Sequence, residues 1–374
     1  MALFIGLMSG TSLDGVDGVL VSFVETGRLQ IDVRGHAHRP FPPALQAELL
    51  ALNAPGNNEL HRAALAANEV VRVCTDVVSA LLPVVGSVSR DAVRAIGVHG
   101  QTVRHRPGEF DGLGYTVQLN APALLAELTG LDVIADFRSR DVAAGGQGAP
   151  LVPAFHRAAF GEPGKASVVL NLGGIANLTV LAADGDTTGF DCGPGNLLMD
   201  LWCRRHSGRP FDADGAWAAS GRVIEPLLVS MLAEPFFAAL PPKSTGRDLF
   251  DAGWLDGHLR GFATARPEDV QATLAELTAR SSAAAIKRHA ADATDVRVCG
   301  GGALNRELMR RIADCLPGVA VVESDRHGLP AAQVEACAFA WLARAFLERS
   351  PGNLMAVTGA RGPRVLGALY PGMA

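Results

Sequence analysis

The sequence is short of charged residues and of basic residues in particular. Charged residues make up 19% of the 374 positions and the formal net charge is -5, against a usual charged share of about 25%. Binding to a nucleic-acid backbone requires a basic face, so the composition argues against a nucleic-acid partner. The apolar share of 48% is enough to bury a sizeable core, and the length suits two domains better than one.

Signals for secretion and for membrane insertion are also missing. The first ten residues include no basic residue, so they do not predict a signal peptide. Residues 166–183 are uncharged and just long enough to raise the question of a membrane span. Polar and glycine positions interrupt that run, which therefore predicts a strand, a turn and a second strand. We expect a cytoplasmic protein without a membrane partner.

The six cysteines form no CxxC pair. Without such pairs, a zinc site or a disulfide framework is not predicted. Several of the cysteines lie in apolar runs, which favours buried free thiols. Free thiols are typical of a reducing compartment.

Several nucleotide-binding and catalytic signatures are absent. The chain has no GxxxxGK[ST] P-loop and no GxGxxG with an acidic residue about 20 positions later. It also lacks the HRD and DFG pair of protein kinases, and residues 10–14 just miss a GxSxG nucleophile elbow. These absences exclude the commonest nucleotide-binding folds and the α/β-hydrolase type of esterase.

The apolar periodicity predicts an α/β fold with mixed sheets. Strands are predicted over residues 3–8, 16–24, 29–38, 92–98, 132–136, 167–171, 178–183 and 319–323. Helices are predicted over residues 42–52, 59–82, 122–128, 197–205, 305–316 and 331–348. The Gly- and Ala-rich stretch 138–150 is interpreted as a connection between two domains.

Three glycine-containing turns each follow an apolar strand, at residues 9–15, 172–177 and 300–302. Glycine lets backbone N–H groups converge on an anion because no Cβ obstructs the approach. Ordinary tight turns are the alternative for any one of them. The strand–turn–strand pattern opens both halves of the chain, which indicates an internal duplication, and three such turns together favour a bound nucleotide.

Asp191 stands between a short predicted strand and a helix, within the string 189–196, Gly-Phe-Asp-Cys-Gly-Pro-Gly-Asn. A carboxylate held there on rigid backbone would suit a general base, which must reach the attacking oxygen within hydrogen-bond distance. The alternative is a turn or N-cap aspartate.

Other polar positions allow similar alternatives. Asp14 and Asp17 flank the first turn, where carboxylates beside phosphates can hold Mg²⁺ or simply cap the turn. Residues 99–102, His-Gly-Gln-Thr, end a predicted strand and offer groups to sugar hydroxyls. Glu335 lies at the apolar start of the last helix, where it is either a ligand or an ordinary exposed glutamate.

These strings closely resemble the anhydro-N-acetylmuramic acid kinase family. The most distinctive matches are MSGTSLDG at residues 8–15 and FDCGPGN at residues 190–196. Further blocks, in the same order, resemble that family at residues 99–102, 118–120, 136–138, 145–153, 171–177, 300–305 and around Glu335. The resemblance covers nearly the whole chain.

The resemblance implies two ribonuclease-H-like domains with a nucleotide cleft between them, the actin-like ATPase fold. It makes residues 10–17 the phosphate-1 loop, 172–177 the phosphate-2 loop and 300–302 the adenosine loop. The wider superfamily carries an Asp at the end of the first strand, where this chain reads Leu7-Met8-Ser9. Domain I is expected over residues 1–135 with 345–374, and domain II over 136–344.

Residue by residue, the resemblance predicts Asp191 as the catalytic base and Asp14 as a metal ligand. ATP and Mg²⁺ are the expected cofactors. The residues predicted to bind the nucleotide are Gly10, Thr11, Ser12, Leu13, Asp14, Gly15, Val16, Asp17, Gly173, Gly174, Asn177, Gly193, Gly195, Asn196, Gly300, Gly301, Gly302 and Asn305. The residues predicted to bind the sugar are His99, Gln101, Thr102, Asn120, Asp136, Arg138 and Glu335.

The reaction implied by the resemblance opens the anhydro bridge of 1,6-anhydro-N-acetylmuramic acid with water and phosphorylates O6, a step in peptidoglycan recycling. Arg138 and Arg104 are the cations considered for the lactyl carboxylate, and a homodimer is expected. A generic hexose or N-acetylhexosamine kinase is the first alternative. A non-enzymatic nucleotide switch is the second, although 374 residues leave little room for an added peptide-binding module.

Overall fold

The computed structural model describes residues 2–25, 29–85, 92–246 and 249–373. They form two compact units, residues 1–160 with 333–374 and residues 161–332. The strands are β1 Leu3–Met8, β2 Gly15–Glu25, β3 Leu29–Pro40, β4 Val93–Val98, β5 Gln101–Pro107, β6 Gly114–Leu119, β7 Val133–Ala135, β8 Ser167–Leu172, β9 Ile175–Leu181, β10 Thr187–Pro194, β11 Asp295–Cys299, β12 Ala320–Glu323 and β13 Ala368–Tyr370.

The helices follow the predicted positions where the apolar periodicity is strong, and several more occupy the second unit. They are α1 Pro43–Ala51, α2 Glu59–Leu81, α3 Pro122–Thr129, α4 Ser139–Ala143, α5 Val152–Phe160, α6 Leu197–Ser207, α7 Ala216–Ser220, α8 Glu225–Leu232, α9 Pro235–Ala238, α10 Ala252–Leu259, α11 Pro267–His289, α12 Arg306–Cys315, α13 Val334–Leu347 and α14 Met355–Thr358. Among the described residues, no helix combines the length and hydropathy that a membrane span needs.

The two main sheets share a five-strand order, to which the sheet of the first unit adds β13 at one edge. The sheet of the first unit runs β13-β7-β4-β1-β2-β3 and that of the second runs β10-β9-β8-β11-β12. In each, the first three strands along the chain pair antiparallel and the next two add in parallel beside the first. This shared order confirms the internal duplication and the predicted fold class of two ribonuclease-H-like units of the actin-like ATPase type.

Glycines allow α13 to pack directly on the sheet of the first unit. A Cβ at Gly6 of β1 would overlap the carbonyl oxygen of Ala336, and one at Gly97 of β4 would overlap that of Phe339. On the opposite face, a Cβ at Gly18 would strike Val77 of α2. The strands β1, β2 and β4 are therefore buried along most of their length, as strands covered on both faces are, whereas the edge strand β3 alternates between half-buried and exposed residues.

The compact units do not share the predicted domain boundaries at 135/136 and 344/345. Residues 136–160 belong to the first unit, and so does α13 along its full length. The close contacts of α13 with β1 and β4 explain its place, and the stretch 138–150 contains helix α4 rather than a bare connection. The C-terminal segment joins the first unit, where β13 pairs with β7.

Candidate active site

The turn after β1, which the resemblance predicts to be the phosphate-1 loop, is tied to Gly100 and Gln101 at the start of β5. Ser9 Oγ donates to the carbonyl of Gly100 at 3.0 Å, and Gln101 Nε2 donates to the carbonyl of Gly10 at 3.1 Å. Leu13 adopts a positive φ of 60° with its side chain in the core. The polar turn after β1 and the predicted sugar-binding strand end therefore form one connected structure.

One glycine of this loop has room for a Cβ without a clash. A Cβ built on Gly10 would meet nothing closer than the Ser12 hydroxyl at 3.6 Å, whereas one on Gly15 would overlap the Arg39 carbonyl. Gly10 therefore leaves its backbone accessible to an anion, and Gly15 is required by packing. Val16, like Leu13, has a buried side chain, so only its backbone could reach a nucleotide.

The two carboxylates of the loop differ in their surroundings. Asp14 is exposed and accepts a hydrogen bond from Ser12 at 2.9 Å. Asp17 instead contacts His36 and His38 of β3, at 3.1 and 3.2 Å. Among the described residues, no group of three or more His, Cys, Asp or Glu side chains has a geometry that could hold a metal ion. Mg²⁺ needs no such cluster, because one or two carboxylates with phosphates and water suffice, and Asp14 fits that role better than Asp17.

His99 and Arg138 form the best-defined polar pair of the first unit. His99 Nδ1 lies 3.2 Å from the carbonyl of Ser9, and its Nε2 accepts from Arg138 Nε and Nη2 at 3.0 and 2.9 Å. Burial and then the Arg138 charge hold the pKa of His99 well below its ordinary value. The network therefore assigns a neutral imidazole with its proton on Nδ1. Arg138 Nη1 also donates to the carbonyl of Gly148 at 2.7 Å.

The loop that supports Arg138 is itself anchored by Asp141, which the sequence interpretation missed. The fully buried carboxylate accepts from Gly148 N at 2.8 Å, Asn353 Nδ2 at 2.7 Å and Thr358 Oγ1 at 2.8 Å. A buried charge is tolerable when hydrogen bonds satisfy it. Asp141 lies in the stretch interpreted as a connection, so no pattern singled it out.

Two predicted sugar-binding side chains carry buried polar atoms with no partner in the parts of the chain that the structure describes. They are the oxygen and nitrogen of the Asn120 amide and the Oε1 of Gln101. Asn120 lies against Gly100, since a Cβ there would come within 3.1 Å of the Asn120 Cβ. Buried polar groups are normally satisfied, so these atoms are suited to a polar ligand. Thr102 accepts from Gln118 at 3.2 Å.

The remaining predicted sugar-binding residues have different environments. Asp136 is exposed, has a φ of 59° and accepts from Ser139. Glu335 is half-buried in the first turn of α13. Arg104 is committed elsewhere, because its guanidinium pairs with Glu59 at 2.6 Å. Arg138 donates instead to a neutral ring and a carbonyl, and its contact with a substrate carboxylate remains a prediction.

In the second unit, the phosphate-2 loop is fastened to the segment after β10. Gly195 N donates to the Gly174 carbonyl at 2.9 Å, and Asn196 N donates to the Gly173 carbonyl at 2.8 Å. Asn196 Nδ2 also donates to Leu172 at 3.0 Å. A Cβ on Gly173 would meet nothing closer than 3.5 Å, so packing does not require a glycine here either.

The adenosine loop packs closely on the phosphate-2 loop. Gly300 has a φ of 81°, and a Cβ there would overlap the side-chain oxygen of Asn171. A Cβ on Gly302 would come within 2.6 Å of Leu172 Cβ, whereas Gly301 has no neighbour closer than 4.0 Å. Gly301, which has room for a Cβ, therefore lies between Gly300 and Gly302, where a Cβ would clash with neighbouring atoms.

Asn305 follows this loop and has a structural role. Its side chain accepts from Leu308 N at 2.9 Å as the N-cap of α12. A capping oxygen satisfies one of the free N–H groups of the first turn. Its contact with a nucleotide remains a prediction.

Asp191 lies inside β10, next to a β-bulge, rather than at the strand end as predicted. Its Oδ2 accepts from the backbone N–H of Thr245 at 2.9 Å, and its own N–H donates to the Lys243 carbonyl at 3.2 Å. Asn177 is its cross-strand partner on β9. The Thr245 N–H thus holds the Asp191 carboxylate and the Lys243 carbonyl holds its backbone, while Gly193, with a φ of 141°, continues the bulge.

Lys243 and Thr245 were not singled out from the sequence. Lys243 Nζ donates to the Phe236 carbonyl at 2.9 Å and lies 4.5 Å from the centre of that ring. Burial lowers the pKa of this amine. The available signal was the run Pro-Pro-Lys-Ser-Thr-Gly at residues 241–246, a polar string between two helical segments.

A family model described as anhydro-N-acetylmuramic acid kinase matches residues 2–372. The chain is 61% identical over 374 residues to the anhydro-N-acetylmuramic acid kinase of Variovorax paradoxus strain S110, covering 99% of each chain. It is 60% identical over 372 residues to that of Bordetella petrii, covering 99% of this chain and 96% of the relative.

Among solved structures, the activator of the 2-hydroxyisocaproyl-CoA dehydratase from Clostridium difficile with bound ADPNP matches with a TM-score of 0.46 and 14% identity, over 93% of this chain and 96% of that chain. The family model and the full-length relatives agree with each other and with the resemblance in the motifs. The chain belongs to the anhydro-N-acetylmuramic acid kinase family.

Proposed function

We propose that this enzyme uses ATP to convert 1,6-anhydro-N-acetylmuramic acid and water to N-acetylmuramic acid 6-phosphate and ADP, in peptidoglycan recycling. The observation that carries the proposal is Asp191, which the backbone of Thr245 holds at 2.9 Å in the FDCGPGN motif. Identities of 61% and 60% to full-length relatives of that name favour this function over a generic hexose or N-acetylhexosamine kinase.

The bond changes balance as a coupled hydrolysis and phosphoryl transfer. The water oxygen bonds to the anomeric carbon as the bond from that carbon to O6 breaks. Asp191 takes the proton that the water loses. The freed O6 bonds to the γ-phosphorus, and the bond from that phosphorus to the β-phosphate oxygen breaks to release ADP. Positioning and charge neutralisation dominate such transfers, and a general base contributes roughly 10²–10⁴-fold.

The nucleotide would be held by backbone groups at the glycines that have room for a Cβ. Gly10 and Gly173 lack a Cβ where a phosphate could approach, and Gly301 offers the same space in the adenosine loop. Mg²⁺ would neutralise phosphate charge, with Asp14 as its protein carboxylate. These assignments rest on the fit of the loops to anionic groups.

Residues of the first unit would bind the sugar. Arg138, oriented by the neutral His99, would meet the lactyl carboxylate in a bidentate contact. Asn120 and Gln101 would offer their unpartnered polar atoms to hydroxyl or acetamido groups. A cytoplasmic location and a homodimer remain predictions of this proposal. The cysteines, which are free and mostly buried, suit a reducing compartment.

Product mass tests the proposal. The purified enzyme is incubated with ATP, Mg²⁺ and 1,6-anhydro-N-acetylmuramic acid, and the mass of the sugar product is determined by mass spectrometry. We expect a product heavier than the substrate by one water and one phosphoryl group. A product that gains only the phosphoryl group would indicate an ordinary sugar kinase, and no sugar product would reject both functions.

A further inference from the structure

The surroundings of Asp191 contain two polar atoms that the folded chain does not satisfy. They are the hydroxyl oxygen of Thr245 and the side-chain oxygen of Asn177, both buried and both without a hydrogen-bond partner among the described residues. A buried polar atom without a partner costs free energy, so such atoms in a native protein call for an explanation.

Both atoms belong to residues that flank the same carboxylate. Asn177 lies directly opposite Asp191 in the antiparallel register of β9 and β10, and directly opposite side chains share a face, with Cβ atoms about 4.5–5.5 Å apart. Thr245 is attached through its backbone N–H, 2.9 Å from Asp191 Oδ2. One face of the strand pair thus carries an acid and an amide, and the residue whose backbone N–H holds the acid carries the hydroxyl.

This set of groups matches the hydrogen-bonding capacity of one water molecule. A water has two donors and two acceptor lone pairs. It can donate one hydrogen to the Asp191 carboxylate and the other to the Asn177 oxygen, and it can accept from the Thr245 hydroxyl, which is both donor and acceptor. One lone pair then remains, and a nucleophile needs one lone pair directed at the carbon that it attacks.

We propose that Thr245 and Asn177 form, with Asp191, the binding site of the attacking water. This inference rests on the proposed function, because only a kinase that opens an anhydro bridge needs a bound water. Thr245 and Asn177 orient the oxygen while Asp191 takes the proton. The proton on the Asn177 side stays with the water oxygen and becomes part of the new anomeric hydroxyl.

The test compares Thr245→Val, Thr245→Ser and Asn177→Ala with the wild-type enzyme. Valine keeps the branched shape and the backbone N–H that holds Asp191, and it removes only the hydroxyl. The matched control is Thr188→Val, because Thr188 is an exposed threonine on the same strand as Asp191. Steady-state kcat and KM for the anhydrosugar, KM for ATP and the melting temperature are measured for each.

We expect kcat for Thr245→Val to fall roughly 10- to 100-fold, the usual worth of a hydrogen bond to a charged or reacting group. KM for both substrates should change little, Thr245→Ser should recover most of the rate, and Asn177→Ala should lower kcat as well. Thr188→Val should match the wild type. If Thr245→Val fails to fold, the test compares Asn177→Ala, which should have a lower kcat, with Thr245→Ser, which should keep most of the rate.

The outcomes separate this inference from the function on which it rests. Wild-type enzyme that does not turn over the anhydrosugar would reject the proposed function itself. Active wild type with Thr245→Val and Asn177→Ala both within about twofold of its kcat would overturn the water site alone. A higher KM for the sugar at unchanged kcat would also overturn it, since Thr245 would then bind sugar rather than orient the nucleophile.

Discussion

The Arg138 guanidinium donates two hydrogen bonds to His99 Nε2, at 3.0 and 2.9 Å, while His99 Nδ1 faces the Ser9 carbonyl at 3.2 Å. The imidazole thereby joins the turn after β1 to the arginine that we propose for the substrate carboxylate. Its neutral form is required, because a protonated ring could not accept from a guanidinium.

This relationship predicts that His99 and Arg138 act as one unit. Arg138→Ala should raise KM for the anhydrosugar about 10- to 100-fold, as loss of a charged hydrogen bond does, and His99→Ala should do so by releasing the guanidinium. The double variant should be little worse than the poorer single variant, which is the signature of coupled residues. Steady-state kinetics on the four proteins measure this coupling.

The control for that cycle is Arg140→Ala, since Arg140 is exposed on α4, two residues further along. It should keep the wild-type KM. Effects of Arg138→Ala and His99→Ala that multiply fully in the double variant would show that the two side chains act independently.

Because a Cβ fits at Gly10 without a clash, we predict that Gly10→Ala weakens nucleotide binding selectively. Gly10→Ala adds a methyl group that meets no protein atom closer than 3.6 Å, so the melting temperature should stay close to that of the wild type. KM for ATP should rise about tenfold or more, because the methyl group occupies the approach to the backbone. Calorimetric melting and ATP kinetics provide the two measurements.

Gly6→Ala is the contrasting variant, because its methyl group would overlap the Ala336 carbonyl. Overpacking a well-packed site costs about 1–3 kcal/mol or more. Gly6→Ala should therefore lower the melting temperature clearly. A Gly10→Ala protein that melts as early as Gly6→Ala, or that binds ATP normally, would contradict the assignment of the phosphate-1 loop.

Buried histidines predict a loss of stability in mild acid. Burial lowers the pKa of His156 to about 3, and His99 is also shifted well below its ordinary value. In the unfolded chain these histidines have a pKa of about 6.5, so below that pH they bind protons that they do not bind in the folded protein. The free energy of unfolding is therefore retained above that pH and decreases below it. Each histidine contributes up to about 1.4 kcal/mol per pH unit there.

His156→Met tests the pH effect away from the site, since His156 packs between Phe155 and Phe160 on α5. The melting temperature of this variant should fall less steeply than that of the wild type between pH 6.5 and 5. Carboxylate contributions are common to both proteins and cancel in the comparison. Equal slopes would show that His156 does not resist protonation in the folded protein.

The sequence predicted the fold well where local patterns are strong. The apolar run before the first turn became β1, and the glycine turns recur at equivalent places in the two sheets. The hairpin β5–β6 was missed, because Arg104, His105 and Arg106 hide the alternation that would mark a strand.

The sequence singled out candidate site residues but not the contacts that hold them in place. Asp191 was proposed as the base from its motif, whereas Thr245, whose N–H bonds to its carboxylate, lies 54 positions away in sequence. The support of the Arg138 loop by Asp141 depends on Thr358, 217 positions away. Contacts of that separation come from the tertiary fold, and no local periodicity predicts them.

The most direct measurement is ADP release with 1,6-anhydro-N-acetylmuramic acid, N-acetylmuramic acid and glucose, for the wild type and Asp191→Asn. We predict turnover of the anhydrosugar by the wild type, and a loss of roughly 10²–10⁴-fold in kcat in the variant, because the amide cannot take the proton from water. Turnover of the free sugars in place of the anhydrosugar, or an Asp191→Asn enzyme with wild-type kcat, would contradict the role of Asp191 in activating water.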